Sequence, residues 1–192
     1  MTRIGFLASA AGSSMVAIID AARGGRLAIE PVLLVSNKAG APALEAARSR
    51  GVAARVIPTV PDAEAADARL LAAMREAGVE WIVLSGYLRL LGPRLLAAYE
   101  GRILNIHPGP LPAFGGKGMY GARVHEAVIA AGAPASEICI HLVDGEYDHG
   151  AVLARRTIEI APGETPASLE ARIRALEPEF FVEALRGLLP HP

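Results

Sequence analysis

The chain is poor in the residues from which disulfide, metal and membrane proteins are built. Its 192 residues include a single cysteine, Cys139, which excludes an intrachain disulfide and a cysteine metal site. Cys139 lies in the apolar run Ile138-Cys139-Ile140 and is expected to be buried and inert. The five histidines form no short-spaced ligand set, so no metal is expected. No apolar run reaches the roughly 18 residues of a membrane span. No signal peptide precedes the first apolar run, and the cytoplasm is the expected compartment. A net charge of −1 offers no electrostatic case for nucleic acid or for an anionic membrane. A Gly-x-Ser-x-Gly elbow is missing, which argues against a serine triad. Internal repeats, low-complexity tracts and interdomain linkers are missing too.

What is present is core-forming material. Hydrophobic residues make up 52% of the chain, and the length suits one well-buried domain spanning residues 1–192. Strand-like runs alternate with helical patterns. Strands are expected at 4–8, 32–36, 54–57, 81–85, around Asn105, at 138–143 and at 152–160. Helices are expected at 15–22, 42–50, 61–76, 93–99 and 123–131, with a last one opened by Thr165 as cap and Pro166 as first residue. Pro178 is expected to kink or interrupt that helix. The last two strands are so close in sequence that antiparallel pairing is the simplest arrangement. The expected fold is α/β and Rossmann-like: a mainly parallel central sheet flanked by helices, with an antiparallel C-terminal strand pair.

One stretch stands out, Leu104-Asn105-Ile106-His107-Pro108-Gly109-Pro110-Leu111-Pro112. The period of two along a strand puts Asn105 and His107 on one side and Ile106 on the other. The proline-rich run then stops the strand. An amide and an imidazole are thus held side by side at a strand end, where sites form in open α/β sheets. The turn after the first strand, Ser9-Ala10-Ala11-Gly12-Ser13-Ser14, faces the same sheet edge. Read from its residues alone, it is either a turn capped by Ser13 or an anion site at a helix start.

Asn-x-His-Pro followed by Leu-Pro occurs here with Ser36-Asn37-Lys38, with Gly86-Tyr87-Leu88-Arg89-Leu90-Leu91, and with Asp148 near Gly150. In this combination the chain resembles the folate-dependent formyltransferases, and among them those that act on glycinamide ribonucleotide. The likeness runs over about residues 4–188. It implies the formyltransferase fold, 10-formyltetrahydrofolate as co-substrate, glycinamide ribonucleotide as acceptor and no metal. It implies Asn105, His107 and Asp148 as catalytic residues. By the same resemblance Gly12, Ser13 and Ser14 bind the substrate phosphate, and Glu177 holds the substrate amine. Leu88, Arg89, Leu90 and Leu91, with Asn105, bind the folate. The oligomeric state stays open, a homodimer being one form.

This chain also departs from the family pattern. One glycine remains in the loop at 9–14, with Ser14 in place of an asparagine. His149 replaces a glycine after Asp148 and is expected to be a solvated loop histidine. Ala63 stands where the family has a basic residue toward the folate tail, a contact that is either lost or taken over by Arg69 or Arg55. His141 is expected as a satisfied, half-buried histidine, and His125 on a helix surface. The acceptor is therefore read first as glycinamide ribonucleotide and second as another amine such as an amino sugar. A non-catalytic folate- or nucleotide-binding module is the reading from a different class.

Overall fold

The computed structural model describes residues 1–189, so the last three residues of the expected domain, 190–192, lie outside the described residues. In chain order the elements are β1 (Thr2–Leu7), α1 (Ser13–Arg23), β2 (Ile29–Ser36), α2 (Pro42–Arg48), β3 (Ala53–Val56), α3 (Ala63–Glu76) and β4 (Trp81–Leu84). They continue with α4 (Pro93–Ala98), β5 (Ile103–His107), α5 (Ala122–Ala130), β6 (Ala135–Leu142), β7 (Val152–Glu159) and α6 (Pro166–Leu188). The seven strands form one sheet in the order β3-β2-β1-β4-β5-β6-β7. Pairings from β3 through β5 are parallel. Those of β5 with β6 and of β6 with β7 are antiparallel. The expected mixed sheet is present, with β6 starting three residues earlier than its apolar run suggests.

The strand order reverses direction between β1 and β4. Loops leaving neighbouring strands there diverge and open a crevice at the carboxyl ends, the usual ligand position in such sheets. On β1, Ile4 and Phe6 pack toward one layer, with Met15 and Ile18 of α1 and Phe181 of α6. Leu7 packs toward the other, with Met74 of α3 and Leu95 of α4. Phe6 and Phe181 are fully buried, each stabilising the fold by about 1.5–3 kcal/mol. Gly5 lets α3 close on the sheet, since a Cβ there would sit 2.8 Å from Met74 Sδ.

Two helix starts have no side-chain cap of their own. Before α1, Gly12 is the N-cap in the left-handed region (φ 66°), and no side chain caps the helix. The Ser13 cap is therefore not made; Ser13 is already helical. Before α4, the buried Asp67 of α3 supplies the cap that Gly92 lacks, accepting from Arg94 N at 2.8 Å and Leu95 N at 3.1 Å. At the other end of the chain, α6 runs through Pro178 without a break. Ile173 before it and Phe181 after it are both in the core, and that burial holds the helix across the missing N–H. No helix among the described residues is long and apolar enough to cross a membrane.

Candidate active site

A cleft of about 930 Å³ opens at the switch point. Its walls are the turn after β1, the segment after β4, the end of β5, the glycine-rich loop before α5, the loop after β6 and one face of α6. At its centre the β5–β6 register sets Asn105 opposite His141 and His107 opposite Cys139. All four side chains belong to one face of the sheet, as strand alternation requires.

His107 is buried. Its Nε2 donates to the Phe114 carbonyl at 2.8 Å, and its Nδ1 lies 3.4 Å from Asp148 Oδ2. The other Asp148 oxygen is 3.5 Å from His141 Nε2. His141 donates from Nδ1 to the Leu142 carbonyl at 2.8 Å. A protonated ring donates from Nε2 to Asp148, and a neutral one accepts there from Asn105 Nδ2, 3.0 Å away. One Asn105 N–H is spent on that contact, and the second remains for a ligand. The expected trio of Asn105, His107 and Asp148 is thus brought together, with His141 as a fourth member.

The loops around Asp148 are sterically specified. Asp148 adopts φ 55°, an uncommon conformation for a residue with a side chain. Gly116 N donates to its Oδ2 at 3.1 Å. A Cβ on Gly150 would lie 2.0 Å from the Leu142 carbonyl oxygen, and one on Gly115 3.0 Å from Asp148 Cβ. Burial pushes the Asp148 carboxyl up, but the His141 and His107 rings and the Gly116 N–H outweigh it and hold the acid below its ordinary value. For His107 the balance goes the other way. Burial pulls it down more than Asp148 and the Phe114 carbonyl raise it. The carboxylate thus supports protonation of His107, yet desolvation leaves the ring more readily neutral than an ordinary histidine.

Other residues sort less uniformly. Leu88 and Leu90 are 54% and 50% exposed and line the cleft with Arg89, offering apolar walls to a flat ligand. Leu91 reaches the cleft but also sits in the core. Ser9 ties this segment to the second strand's end: its hydroxyl donates to Asn37 Oδ1 at 2.7 Å and accepts from Leu88 N at 3.0 Å. Gly12, Ser13 and Ser14 line the cleft. Farther along α1, Met15 N is taken by Ser85 Oγ and Val16 N by the Gly12 carbonyl. The Ser13 and Ser14 amides lie in the first turn, which has no intrahelical acceptor.

Glu177 lies on the α6 wall and has no ion pair with the Asn105–His107–Asp148 cluster. Burial pushes its carboxyl up to about 7, opposed by Arg174 and reinforced by Glu170. Arg55 pairs with Glu76 and Arg69 reaches the Pro58 carbonyl; neither lines the cleft. His149 is solvated as expected and bonds Asp144 Oδ2 at 2.8 Å. Two histidine expectations are corrected. His141 is fully buried rather than half-buried, and it lies against Asn105 and Asp148. His125 is 2% exposed, not on the surface, because α5 turns it inward toward α6; its Nδ1 has no partner. Cys139 is buried, which pushes its thiol up to about 11.

The formyl transferase family model matches residues 2–185. The chloroplastic phosphoribosylglycinamide formyltransferase of Arabidopsis thaliana is 38% identical over 97% of this chain and 65% of its own length. The corresponding protein of Vigna unguiculata is 37% identical over 97% of this chain and 60% of its own. The chain thus spans somewhat under two thirds of these plant relatives. The crystal structure of glycinamide ribonucleotide transformylase 1 from Geobacillus kaustophilus superposes with a TM-score of 0.90 at 39% identity, covering 99% of this chain and 100% of that one. By the family match over residues 2–185, this chain belongs to the formyl transferase family.

Proposed function

We propose that the chain, working as a single domain in the cytoplasm, transfers the formyl group of 10-formyltetrahydrofolate to the amine of glycinamide ribonucleotide. The observation that carries this reading is the approach of Asn105, His107 and Asp148 within a cleft of ligand size. The names of the relatives support the choice of acceptor.

Formyl transfer to an amine passes through a tetrahedral centre with a negative oxygen. The neutral amine nitrogen bonds to the formyl carbon, and the carbonyl pair moves onto oxygen. The free Asn105 N–H and a proton on His107 Nδ1 are the donors for that charge. Collapse of the centre breaks the bond to the folate N10, which receives the proton lost by the amine. Asp148 relays that proton, directly or through water. No covalent bond to the protein forms. The amides of Gly12, Ser13 and Ser14 receive the acceptor's phosphate, where an α1 N-terminus favours an anion. Leu88, Arg89, Leu90 and Leu91 enclose the pterin, and Glu177 takes hydrogen bonds from the acceptor.

A second reading, transfer to a different amine, is favoured by one observation: a single glycine is left in the 9–14 turn. An acceptor screen with 10-formyltetrahydrofolate, following deformylated folate by absorbance, decides between them. Turnover with glycinamide ribonucleotide is expected. Turnover with an amino sugar alone moves the reading to the second acceptor, and no turnover with any amine leaves a binding module.

A further inference from the structure

The loop that follows the catalytic strand is held from behind by the edge strand β7. Arg155 of β7 pairs across the ladder with Cys139 of β6. One of its guanidinium nitrogens donates to the Leu111 carbonyl at 3.0 Å, the other to Glu137 Oε2 at 2.6 Å. Arg155 does not line the cleft. The residue it grips is buried, and the Leu111 side chain lies against Gly115, where a Cβ would be 2.4 Å from Leu111 Cδ2.

Just beyond this grip the same loop supplies both outer contacts of the catalytic pair. The Phe114 carbonyl accepts from His107 Nε2, and Gly116 N donates to Asp148 Oδ2. The loop has few bonds of its own, chiefly Phe114 N to the Pro110 carbonyl at 2.8 Å and Gly115 N to the Pro112 carbonyl at 3.3 Å. Its prolines contribute no N–H at all. A fork that fixes one carbonyl of such a segment fixes its neighbours.

We propose that Arg155 is a positioning residue: by fastening Leu111 it sets Phe114 and Gly116, and through them the His107 ring and the Asp148 carboxylate. The inference rests on the reading of His107 and Asp148 as the catalytic pair. The Arg155–Glu137 pair is partly exposed, 43% and 25%, and such pairs contribute little to stability. Its value is geometric, because Glu137 holds the planar guanidinium so that its second edge meets Leu111.

The test is Arg155→Met, which keeps the stem and drops the fork. Misplacement of a catalytic group by a remote change costs up to about 100-fold, and a loss of about 10- to 100-fold in kcat is expected with both KM values nearly unchanged. In the free protein, the Gly116 amide should exchange faster while the Val83 amide of β4 keeps its protection, and the His107 titration should move. Arg155→Lys, a point charge without the fork, should recover only part of kcat. Arg155→Met with wild-type kcat, His107 titration and Gly116 exchange overturns the proposal. So does a uniform rise in exchange at Gly116 and Val83, which marks a merely structural role. Exchange and titration are read without substrate. They therefore stay decisive even where glycinamide ribonucleotide proves not to be the acceptor, a result that sinks only the functional reading.

Discussion

His107 Nδ1 lies 3.4 Å from Asp148 Oδ2 while its Nε2 is committed to the Phe114 carbonyl. A carbonyl only accepts, so Nε2 carries a proton in every ionisation state. Any second proton must then sit on Nδ1, facing Asp148 and the cleft. Burial lowers the His107 pKa and Asp148 raises it. Replacing Asp148 by Asn removes the raising influence, so His107 should titrate at lower pH than in the wild type. Histidine ring titration by nuclear magnetic resonance measures this directly; identical curves in the two proteins would mean the two groups do not interact.

Asn105→Ala and His107→Ala should act on the transition state rather than on binding. Loss of one oxyanion donor costs about 100- to 1,000-fold in turnover, far more than it weakens either substrate. Combined with Asp148→Asn, the losses should be less than additive, because the three serve one charge. Steady-state kinetics of the single and triple variants checks this. A fall carried mainly by KM would assign these residues to substrate binding instead.

How far the sequence reached depended on whether local periodicity was enough. Asn105 and His107 were legible because a period of two within one strand places both on one face. His141 was not, since its contact with Asn105 needs the antiparallel β5–β6 register, and register between strands distant in sequence is set by tertiary packing. His125 shares the buried face of α5 with Val124 and Val128, while Arg123 and Glu126 carry the exposed one. Pro178 does not interrupt α6, because the core contacts on either side of it override the local penalty. Ser9 had no local signal at all: its partners Asn37 and Leu88 come from two other strand ends.

His141 should behave as a positioning residue for Asn105. His141→Leu leaves the Asn105 amide without its acceptor, and an unpaired buried polar group costs about 1–3 kcal/mol. Turnover should fall by tenfold or more, equivalent to about 1.4 kcal/mol in the barrier, and thermal stability should drop with it. His141→Gln, which restores an acceptor, should recover part of both. A Leu variant with full activity would remove His141 from the site.

The α1 N-terminus should be the phosphate subsite. Titration with glycinamide ribonucleotide should shift the Gly12, Ser13 and Ser14 amide resonances, and inorganic phosphate at higher concentration should shift the same three. Raising ionic strength should weaken both responses, as expected for charge recognition at a partly solvated site. Shifts confined to α6 or to the 116–121 loop would relocate the phosphate and with it the acceptor's orientation.

Glu177 gives the last test, because its environment fixes the sign of a pH effect. Burial raises its pKa from 4.5 to about 7. The folded protein therefore holds this proton more tightly than the unfolded chain. The stabilising contribution of the protonated form is complete below pH 4.5 and is lost as pH rises through about 7. At pH 8 the wild type carries a half-buried carboxylate with no acceptor bound. Glu177→Gln removes that charge at nearly constant volume. The variant should be more stable than the wild type at pH 8, by at most about 3 kcal/mol at 1.36 kcal/mol per pKa step, and equal to it below pH 4.5. The same change should weaken acceptor affinity more than folate affinity, since the carboxylate is the better hydrogen-bond acceptor for the bound amine. Thermal unfolding at the two pH values and binding of each substrate at pH 8 read both effects. Equal stability at both pH values would show that the carboxylate is well solvated, and equal weakening of both ligands would take Glu177 out of the acceptor site.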